Sequence, residues 1–305
     1  MFKHLLVPLD GSRMAEVSLT AAVFLAGKLG AVVTLFHAIE RGAPQDIHGE
    51  RHLTGPEEAR DYLNEVAARS LPAGISVERH VHANEVNDVA RSIAEHAAEL
   101  GPDLVVMCTH GRGGLRGFMF GRIAQQVLGL GTTPVLLVPP AAAGSSPAFS
   151  CNRILVALDG NPDHEEGLTV AAGLAKVCGA KLRLVMAVHT SDTLSGEQAT
   201  PAKLLPGATR ALLDLAAQDA EKYLDRHATA LRSAGFTVTS EVRRGDPPTV
   251  IVTTAERTKA DLVVLGTHGK TGMDAFWSGS ATPNVASRSV VPLLLVPVRS
   301  KEPES

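Results

Sequence analysis

The sequence predicts an α/β fold built from two tandem, doubly wound and mainly parallel five-stranded sheets. Three observations predict it. Short apolar strands alternate with helices, which is typical of parallel βα units. The chain has 305 residues, the length of two domains of about 150 residues each. Finally, its second half repeats the strand and loop motifs of its first half.

The repeat is visible in the sequence itself. The apolar run 5–9 and the pair Asp10-Gly11 return as residues 154–160, with Asp159 149 positions after Asp10. Thr109-His110-Gly111 returns as Thr267-His268-Gly269, 158 positions later. The larger offset means that the second half carries about nine additional residues before its fourth strand. We place these residues in the segment 191–209.

Each element of the first half follows from its local pattern. The continuous apolar run 5–9 predicts a strand buried on both faces. A helix with apolar residues at helical spacing follows it and ends at Gly30. Further strands are predicted at 31–38, 75–81, 104–109 and 135–138, and further helices at 61–70, 86–100 and from about 121 to 130. Because parallel strands end at one edge of a sheet, we expect ligands at their carboxyl ends.

The segment that joins the halves is rich in proline and small residues. Residues 139–147 carry no charge and read as a linker. We therefore predict a first domain at 1–140, a linker at 141–150, a second domain at 151–299 and a tail at 300–305.

Composition excludes several classes of protein. The formal charge of −3 and the aromatic content of 4% argue against a nucleic-acid binder, which is usually basic and offers stacking surfaces. Three cysteines make no disulfide framework. The longest apolar stretch, 21–39, is interrupted by Gly27, Lys28 and Gly30, so it does not predict a membrane span. We expect a cytoplasmic protein with no nucleic-acid or membrane partner.

The most informative motif is a glycine loop in the second half. Gly266 and Gly269 follow the strand 262–265, and Gly279 and Ser280 come nine residues later, before a helix with Pro283 in its first turn. Glycines let backbone N–H groups approach an anion, and a helix start favours phosphate. Two such clusters can hold the two ends of a polyphosphate. The alternative is that these glycines are turn residues only.

Two better-known phosphate motifs do not fit the sequence. Gly269-Lys270-Thr271 resembles the end of a P-loop, but Val264 stands where that pattern needs its first glycine. The run Gly111-Arg112-Gly113-Gly114 does not complete the dinucleotide-binding pattern either.

With these motifs, and with the closing Pro-Leu-Leu-Leu-Val-Pro at 292–297, both halves resemble the universal stress protein family. The resemblance implies a Rossmann-like five-stranded parallel sheet in each half. In the subgroup that carries the glycine pattern it implies ATP binding, with Mg or Mn on the phosphates. The chain is thus expected to be an ATP-binding stress-response regulator or sensor. The halves are expected to pair as an intramolecular pseudo-dimer through their last strands, and two chains are expected to form a homodimer.

The resemblance assigns nucleotide-binding residues by position, and the second half matches fully. The phosphates are expected on Gly266, Gly269, Gly279, Ser280, Ala281 and Thr282. Adenine and ribose are expected near Ala157, Asp159, Ala187 and Leu265. His268 is expected to organise the loop backbone, and Gly245-Asp246 to play a weaker role. Asp159 has a second interpretation as a helix-capping residue.

The first half departs from the pattern. Cys108 replaces the first glycine, and Arg122 replaces the hydroxyl residue, although its charge can itself pair with phosphate. Whether the first half binds nucleotide stays open. Its corresponding candidates are Pro8, Asp10, Ala38, Met107, Gly111, Gly121 and Arg122.

Other functions are weaker alternatives. A slow nucleotide hydrolase would need a general base beside the loop, and only His268 and Asp159 are available. A scaffold that binds no nucleotide is the third alternative. The histidine pairs His80/His82 and His48/His52 lack a third ligand at metal spacing, so we expect no metal site built from protein side chains. Cys108 is either a redox-sensitive thiol or a small buried residue.

Overall fold

The structure is a computed structural model that describes residues 1–42, 46–47, 50–109, 121–140, 148–194, 199–267 and 281–298. The chain forms two compact units. The first contains residues 1–150 together with the described part of 268–305, and the second contains residues 151–267.

The first unit alternates strands and helices as the sequence predicts. Its elements are β1 (His4–Pro8), α1 (Arg13–Glu16), α2 (Ser18–Leu29), β2 (Val32–Glu40), β3 (Asp46–Ile47), β4 (Glu50–Arg51), α3 (Pro56–Ser70), β5 (Val77–Val86), α4 (Val89–Glu99), β6 (Leu104–Cys108), α5 (Arg122–Leu130) and β7 (Val135–Val138).

Five strands of this unit form a parallel sheet in the order β5-β2-β1-β6-β7. Their apolar residues make the core, since the strand residues 5–7 and 104–106 are almost fully buried. A later strand, β12 (Leu293–Pro297), lies antiparallel to β7, with Leu294 opposite Leu136. The predicted α/β class with a mainly parallel sheet is confirmed.

Local signals set the ends of the helices, but two predicted starts differ from the structure, of which the first is that α3 begins at Pro56 and not at residue 61. Gly30 ends α2 in the left-handed conformation, with φ of 65°. The prediction that a helix begins at Val86 is wrong, because β5 continues to that residue. The helix begins after Asp88, whose carboxylate accepts the N–H of Arg91 and caps it.

The second unit repeats the same order. Its elements are β8 (Arg153–Leu158), a 3₁₀ turn (Pro162–Glu165), α6 (Glu166–Cys178), β9 (Lys181–Val188), α7 (Ala199–Leu204), α8 (Pro206–Ser233), β10 (Val238–Arg244), α9 (Pro247–Thr258) and β11 (Leu262–Thr267). The strands are parallel in the order β10-β9-β8-β11. A short helix, α10 (Thr282–Arg288), precedes β12 and belongs with it to the first unit.

Helix α8 shows where the second half is longer. It has 28 residues, whereas α3 has 15. Its first turns carry the exposed side chains of Leu212 and Leu215, while its later residues Ala220 and Leu224 are buried. The additional residues that the offset predicts therefore overlap the start of this helix.

Within the described residues, no helix combines the length and the apolar character that crossing a membrane requires.

A glutamate–tyrosine hydrogen bond recurs in both units. The Tyr62 hydroxyl donates to Oε1 of Glu16 at 3.0 Å, and the Tyr223 hydroxyl donates to Oε1 of Glu165 at 2.9 Å. These are the only two tyrosines of the chain. Burial, together with the neighbouring carboxylate, raises the pKa of both phenols above their ordinary value. Each bond joins the end of a short helical turn, α1 or the 3₁₀ turn, to a long helix, α3 or α8.

We expect Tyr62→Phe and Tyr223→Phe each to lower the free energy of unfolding by about 1–2 kcal/mol, because each loses a hydrogen bond to a charged acceptor. Chemical denaturation followed by circular dichroism measures the loss. Because phenylalanine keeps the ring packing, an unchanged midpoint in both variants would contradict a stabilising role for these bonds.

Candidate functional site

The carboxyl edge of the second unit's sheet brings together predicted site residues from three strands. Leu265 lies opposite Ala157 in the β11–β8 pairing, and Leu158 lies opposite Met186 in the β8–β9 pairing. Ala187 follows Met186 near the end of β9. Because these strands are parallel, their carboxyl ends meet at one edge. Five predicted residues therefore lie in one region: Ala157, Asp159, Ala187, Leu265 and Gly266.

Asp159 is held at this edge by two hydrogen bonds. Its Oδ1 accepts the backbone N–H of Asn161 at 3.0 Å, and its Oδ2 accepts the Nδ1–H of His164 at 2.6 Å. Burial by itself would raise the pKa of Asp159, but the hydrogen bonds from His164 and Asn161 lower it below its ordinary value. The side chain stays 55% exposed. Asp159 is thus an ionised, oriented and accessible acceptor.

The helix-capping interpretation of Asp159 does not describe its contacts. The side chain of Asn161 caps the 3₁₀ turn by accepting the N–H of Asp163. Asp159 instead accepts hydrogen bonds from the backbone of Asn161, before the 3₁₀ turn, and from the side chain of His164 within it. Asp246, in contrast, is a helix cap, because its carboxylate accepts the N–H and the hydroxyl of Thr249 at the start of α9.

Gly266 has a packing role inside the unit. A Cβ atom at this position would lie 2.5 Å from the carbonyl oxygen of His164. A Cβ at Gly167, in the first turn of α6, would lie 3.0 Å from the backbone nitrogen of Gly266. The end of β11 therefore touches the backbone of the 3₁₀ turn and of α6, and glycine allows that approach.

Sequence reasoning missed His164 and Gly167. His164 is buried, donates to Asp159 and packs against Gly266, so it links two of the predicted residues. The available signal was a histidine five positions after the strand-end aspartate, with a glycine in the helix that follows.

The other second-half candidates divide into described and undescribed residues. Ala281 precedes α10 as its N-cap without a side-chain hydrogen bond, and Thr282 is the first, buried residue of that helix. Pro283 lies in its first turn, as predicted. His268, Gly269, Gly279 and Ser280 lie outside the described residues.

The corresponding edge of the first unit differs. Asp10 accepts both the N–H and the hydroxyl of Ser12, at 2.9 and 2.7 Å, and Ser12 caps α1. Pro8, Ala38 and Met107 lie at the ends of their strands. Gly121 is the N-cap of α5 and donates its N–H to the carbonyl of Thr109, and Arg122 is exposed. Gly111 lies outside the described residues.

Leu53 covers the Asp10–Gly11 turn of the first unit. A Cβ at Gly11, whose φ is 91°, would lie 2.9 Å from Cγ of Leu53. Leu53 is 8% exposed and packs with Ile39 and Ala59. Its neighbour His52 is buried as well. Leu53 thus lies over this turn, whereas the corresponding Gly160 of the second unit faces the side-chain end of Met186, 3.1 Å from a Cβ placed there.

A histidine cluster lies elsewhere in the first unit. Ring nitrogens of His82 and His96 are 3.2 Å apart, and the rings of His80 and His96 are in contact. Burial lowers the pKa of His80, and the neighbouring histidines lower it further. Among the residues that the structure describes, no group of three His, Cys, Asp or Glu side chains is arranged to hold a metal ion.

Comparisons with known proteins agree with the repeat and the fold. The model of the universal stress protein family matches residues 1–139 and, a second time, residues 151–297. Universal stress protein YxiE of Bacillus subtilis is 29% identical over 150 residues, which cover 45% of this chain and 99% of the relative. Universal stress protein MJ0531 of Methanocaldococcus jannaschii is 28% identical over 150 residues, covering 49% of this chain and 84% of the relative.

Among solved structures, a universal stress protein from Archaeoglobus fulgidus is similar in fold. The TM-score is 0.70 at 19% identity, over 98% of this chain and 97% of that chain. The two matches of the family model together span most of the sequence. The chain therefore belongs to the universal stress protein family.

Proposed function

We propose that this chain binds ATP at the carboxyl edge of the second unit's sheet and acts as a nucleotide-dependent regulator or sensor in a stress response. The observation that carries the proposal is Asp159, an ionised carboxylate held in place by His164 and still half exposed, at the same edge as Gly266 near the end of β11.

The chemistry of this edge suits a nucleoside. A carboxylate accepts hydrogen bonds from ribose hydroxyls, and the bonds from Asn161 and His164 leave further lone pairs on Asp159. Ala157 and Ala187 are small and half-buried, so they offer apolar surface to a flat base without filling the edge.

For the phosphates, the proposal extends to the glycine pattern. Gly269, Gly279 and Ser280, with Ala281 and Thr282, would supply backbone N–H groups and a hydroxyl to the phosphate oxygens. Mg or Mn would be held mainly by those phosphate oxygens, since hard cations prefer oxygen ligands. The proposal therefore needs no metal cage made of protein side chains.

We further propose that the second unit binds ATP and the first does not. Leu53 packs directly on Gly11 in the first unit, and Asp10 is half-buried whereas Asp159 is exposed. A nucleotide lying over the Asp10–Gly11 turn would have to displace this buried leucine, whereas the corresponding turn of the second unit meets only the flexible end of the half-buried Met186. Cys108 and Arg122 add to this asymmetry, because they depart from the glycine pattern.

Isothermal titration of the whole chain with ATP and Mg tests the proposal. We expect one site per chain. Asp159→Ala should raise the Kd for ATP by about tenfold or more, because a hydrogen bond to a charged group is lost. Asp10→Ala is the matched control and should leave the Kd unchanged.

The titration also separates the alternatives. No binding by the unmodified chain would refute the proposal and favour a scaffold. Two sites, or an equal loss from both variants, would contradict the asymmetry. A single-turnover assay with radiolabelled ATP checks the hydrolase alternative, which requires phosphate release that slows when Gly269 or Ser280 is replaced.

Assembly and location complete the proposal. We propose that the two halves of the sequence pair as an intramolecular pseudo-dimer, because β12 of the second half pairs with β7 within the first unit. Light scattering of the purified chain tests whether two chains form a homodimer. We also propose a cytoplasmic location, which cell fractionation tests directly.

A further inference from the structure

Two of the three cysteines meet in the second unit. Cys151 directly precedes β8, and Cys178 is the last residue of α6. Gly179 ends that helix in the left-handed conformation and turns the chain back, so that the Lys181 N–H donates to the carbonyl of Asn152 at 2.8 Å. This reversal puts the end of α6 beside the start of β8, so that the Cys151 and Cys178 side chains lie within hydrogen-bonding reach of each other.

The two thiols differ in their access to solvent. Cys151 is fully buried, whereas Cys178 is partly exposed. The hydrogen bond with Cys178 and burial raise the pKa of the Cys151 thiol, which keeps it protonated. A small reagent can therefore reach Cys178, while Cys151 can react only with the sulfur beside it.

We propose that Cys151 and Cys178 form an oxidation-sensitive dithiol that closes to a disulfide when the chain meets a hydroperoxide. Two small side chains of any kind would fill this space, but only a pair of thiols within hydrogen-bonding reach can be joined by oxidation. Closure brings the two sulfurs from hydrogen-bonding reach to a bond of about 2.05 Å.

The reaction balances in two steps. The Cys178 thiolate attacks one peroxide oxygen, the O–O bond breaks, and the other oxygen leaves as water or an alcohol after taking up a proton. The product is a sulfenic acid on Cys178. The Cys151 sulfur then attacks the Cys178 sulfur and loses its proton, the S–O bond breaks, and hydroxide leaves with that proton as water. The peroxide accepts two electrons, one from each sulfur.

To test this, the folded chain is treated with hydrogen peroxide and the remaining thiols are blocked with N-ethylmaleimide. The peptides are then mapped by mass spectrometry. We expect a cross-linked peptide pair containing Cys151 and Cys178, lighter by two hydrogen atoms, while Cys108 does not join the cross-link. The rate should rise with pH, because the thiolate is the nucleophile.

Variants identify the role of each sulfur. Cys178→Ser should leave Cys151 reduced, since Cys151 is buried. Cys151→Ser should leave a sulfenic acid on Cys178 that dimedone traps. Cys108→Ser is the control and should form the same cross-link. The same treatment in urea should remove the preference for this pair, because it depends on the fold.

Either of two results would overturn the proposal. One is that both cysteines stay free after treatment that oxidises a simple thiol in the same solution. The other is that the cross-link forms equally well in urea with Cys108 as a partner.

Discussion

Replacing Gly266 by valine is expected to lower the free energy of unfolding of the second unit by about 3 kcal/mol. The Cβ of any side chain at this position would lie 2.5 Å from the carbonyl oxygen of His164 and 2.9 Å from its Cβ. Neither atom is the end of a flexible side chain. The 3₁₀ turn itself would have to move, and the branched side chain adds further volume to a closed contact.

Gly207→Val is the matched control for this prediction. Gly207 lies in α8, and a Cβ there would meet no atom within 4 Å. Its unfolding free energy should change by no more than about 0.5 kcal/mol. Denaturant titration measures both variants. If Gly266→Val unfolded at the same denaturant concentration as the control, the contact between β11 and the 3₁₀ turn would not be close.

The same substitution also bears on the proposed ATP site. His164 donates to Asp159, so moving the turn would disturb the carboxylate without removing it. We expect ATP affinity to fall in folded Gly266→Val as well, which titration calorimetry would detect.

Shortening Leu53 to alanine is expected to cost about 2–4 kcal/mol in the first unit. This leucine is 8% exposed and packs between Ile39 and Ala59, with Tyr62 beside the cluster. Its removal leaves a cavity over the Asp10–Gly11 turn, which the surrounding strands can fill only partly. The loss should appear as faster hydrogen exchange in β1 and β2.

Leu212→Ala provides the control for Leu53. Leu212 is 67% exposed, so its truncation should change stability by no more than about 0.5 kcal/mol. Equal stability of the two alanine variants would mean that Leu53 does not hold the first unit together, and the proposed block of that edge would lose its support.

The fold was largely predictable because its signals are local. The apolar run 5–9 and its repeat at 154–158 are recognisable as buried strands without any partner. Gly30 and Gly179 mark helix ends in the sequence, because the left-handed conformation that ends these helices is one that glycine adopts readily. The one helix start placed too early, at Val86, failed because an apolar residue extends a strand as readily as it opens a helix.

The candidate site was less predictable because its contacts are distant in sequence. Nothing local shows that Leu53 lies over Gly11, or that Tyr223 reaches Glu165. Asp159 and His164 are only five positions apart in the sequence, yet their hydrogen bond depends on a 3₁₀ turn that apolar periodicity does not reveal. Such contacts are fixed by packing, which the pattern of one segment does not contain.

The pairing of β7 with β12 has a consequence for the order in which this protein can fold. Leu293, where β12 begins, is made 155 positions after Val138, the end of β7. At a synthesis rate of about 5–20 residues per second, the first unit would wait roughly eight to thirty seconds for its last strand. During that interval the outer edge of β7 presents unpaired N–H and C=O groups, which is where strands of other chains can add. The unit whose synthesis begins first is thus completed last. Until β12 is made, the edge of β7 is the part of this unit that a chaperone would need to shield from other strands.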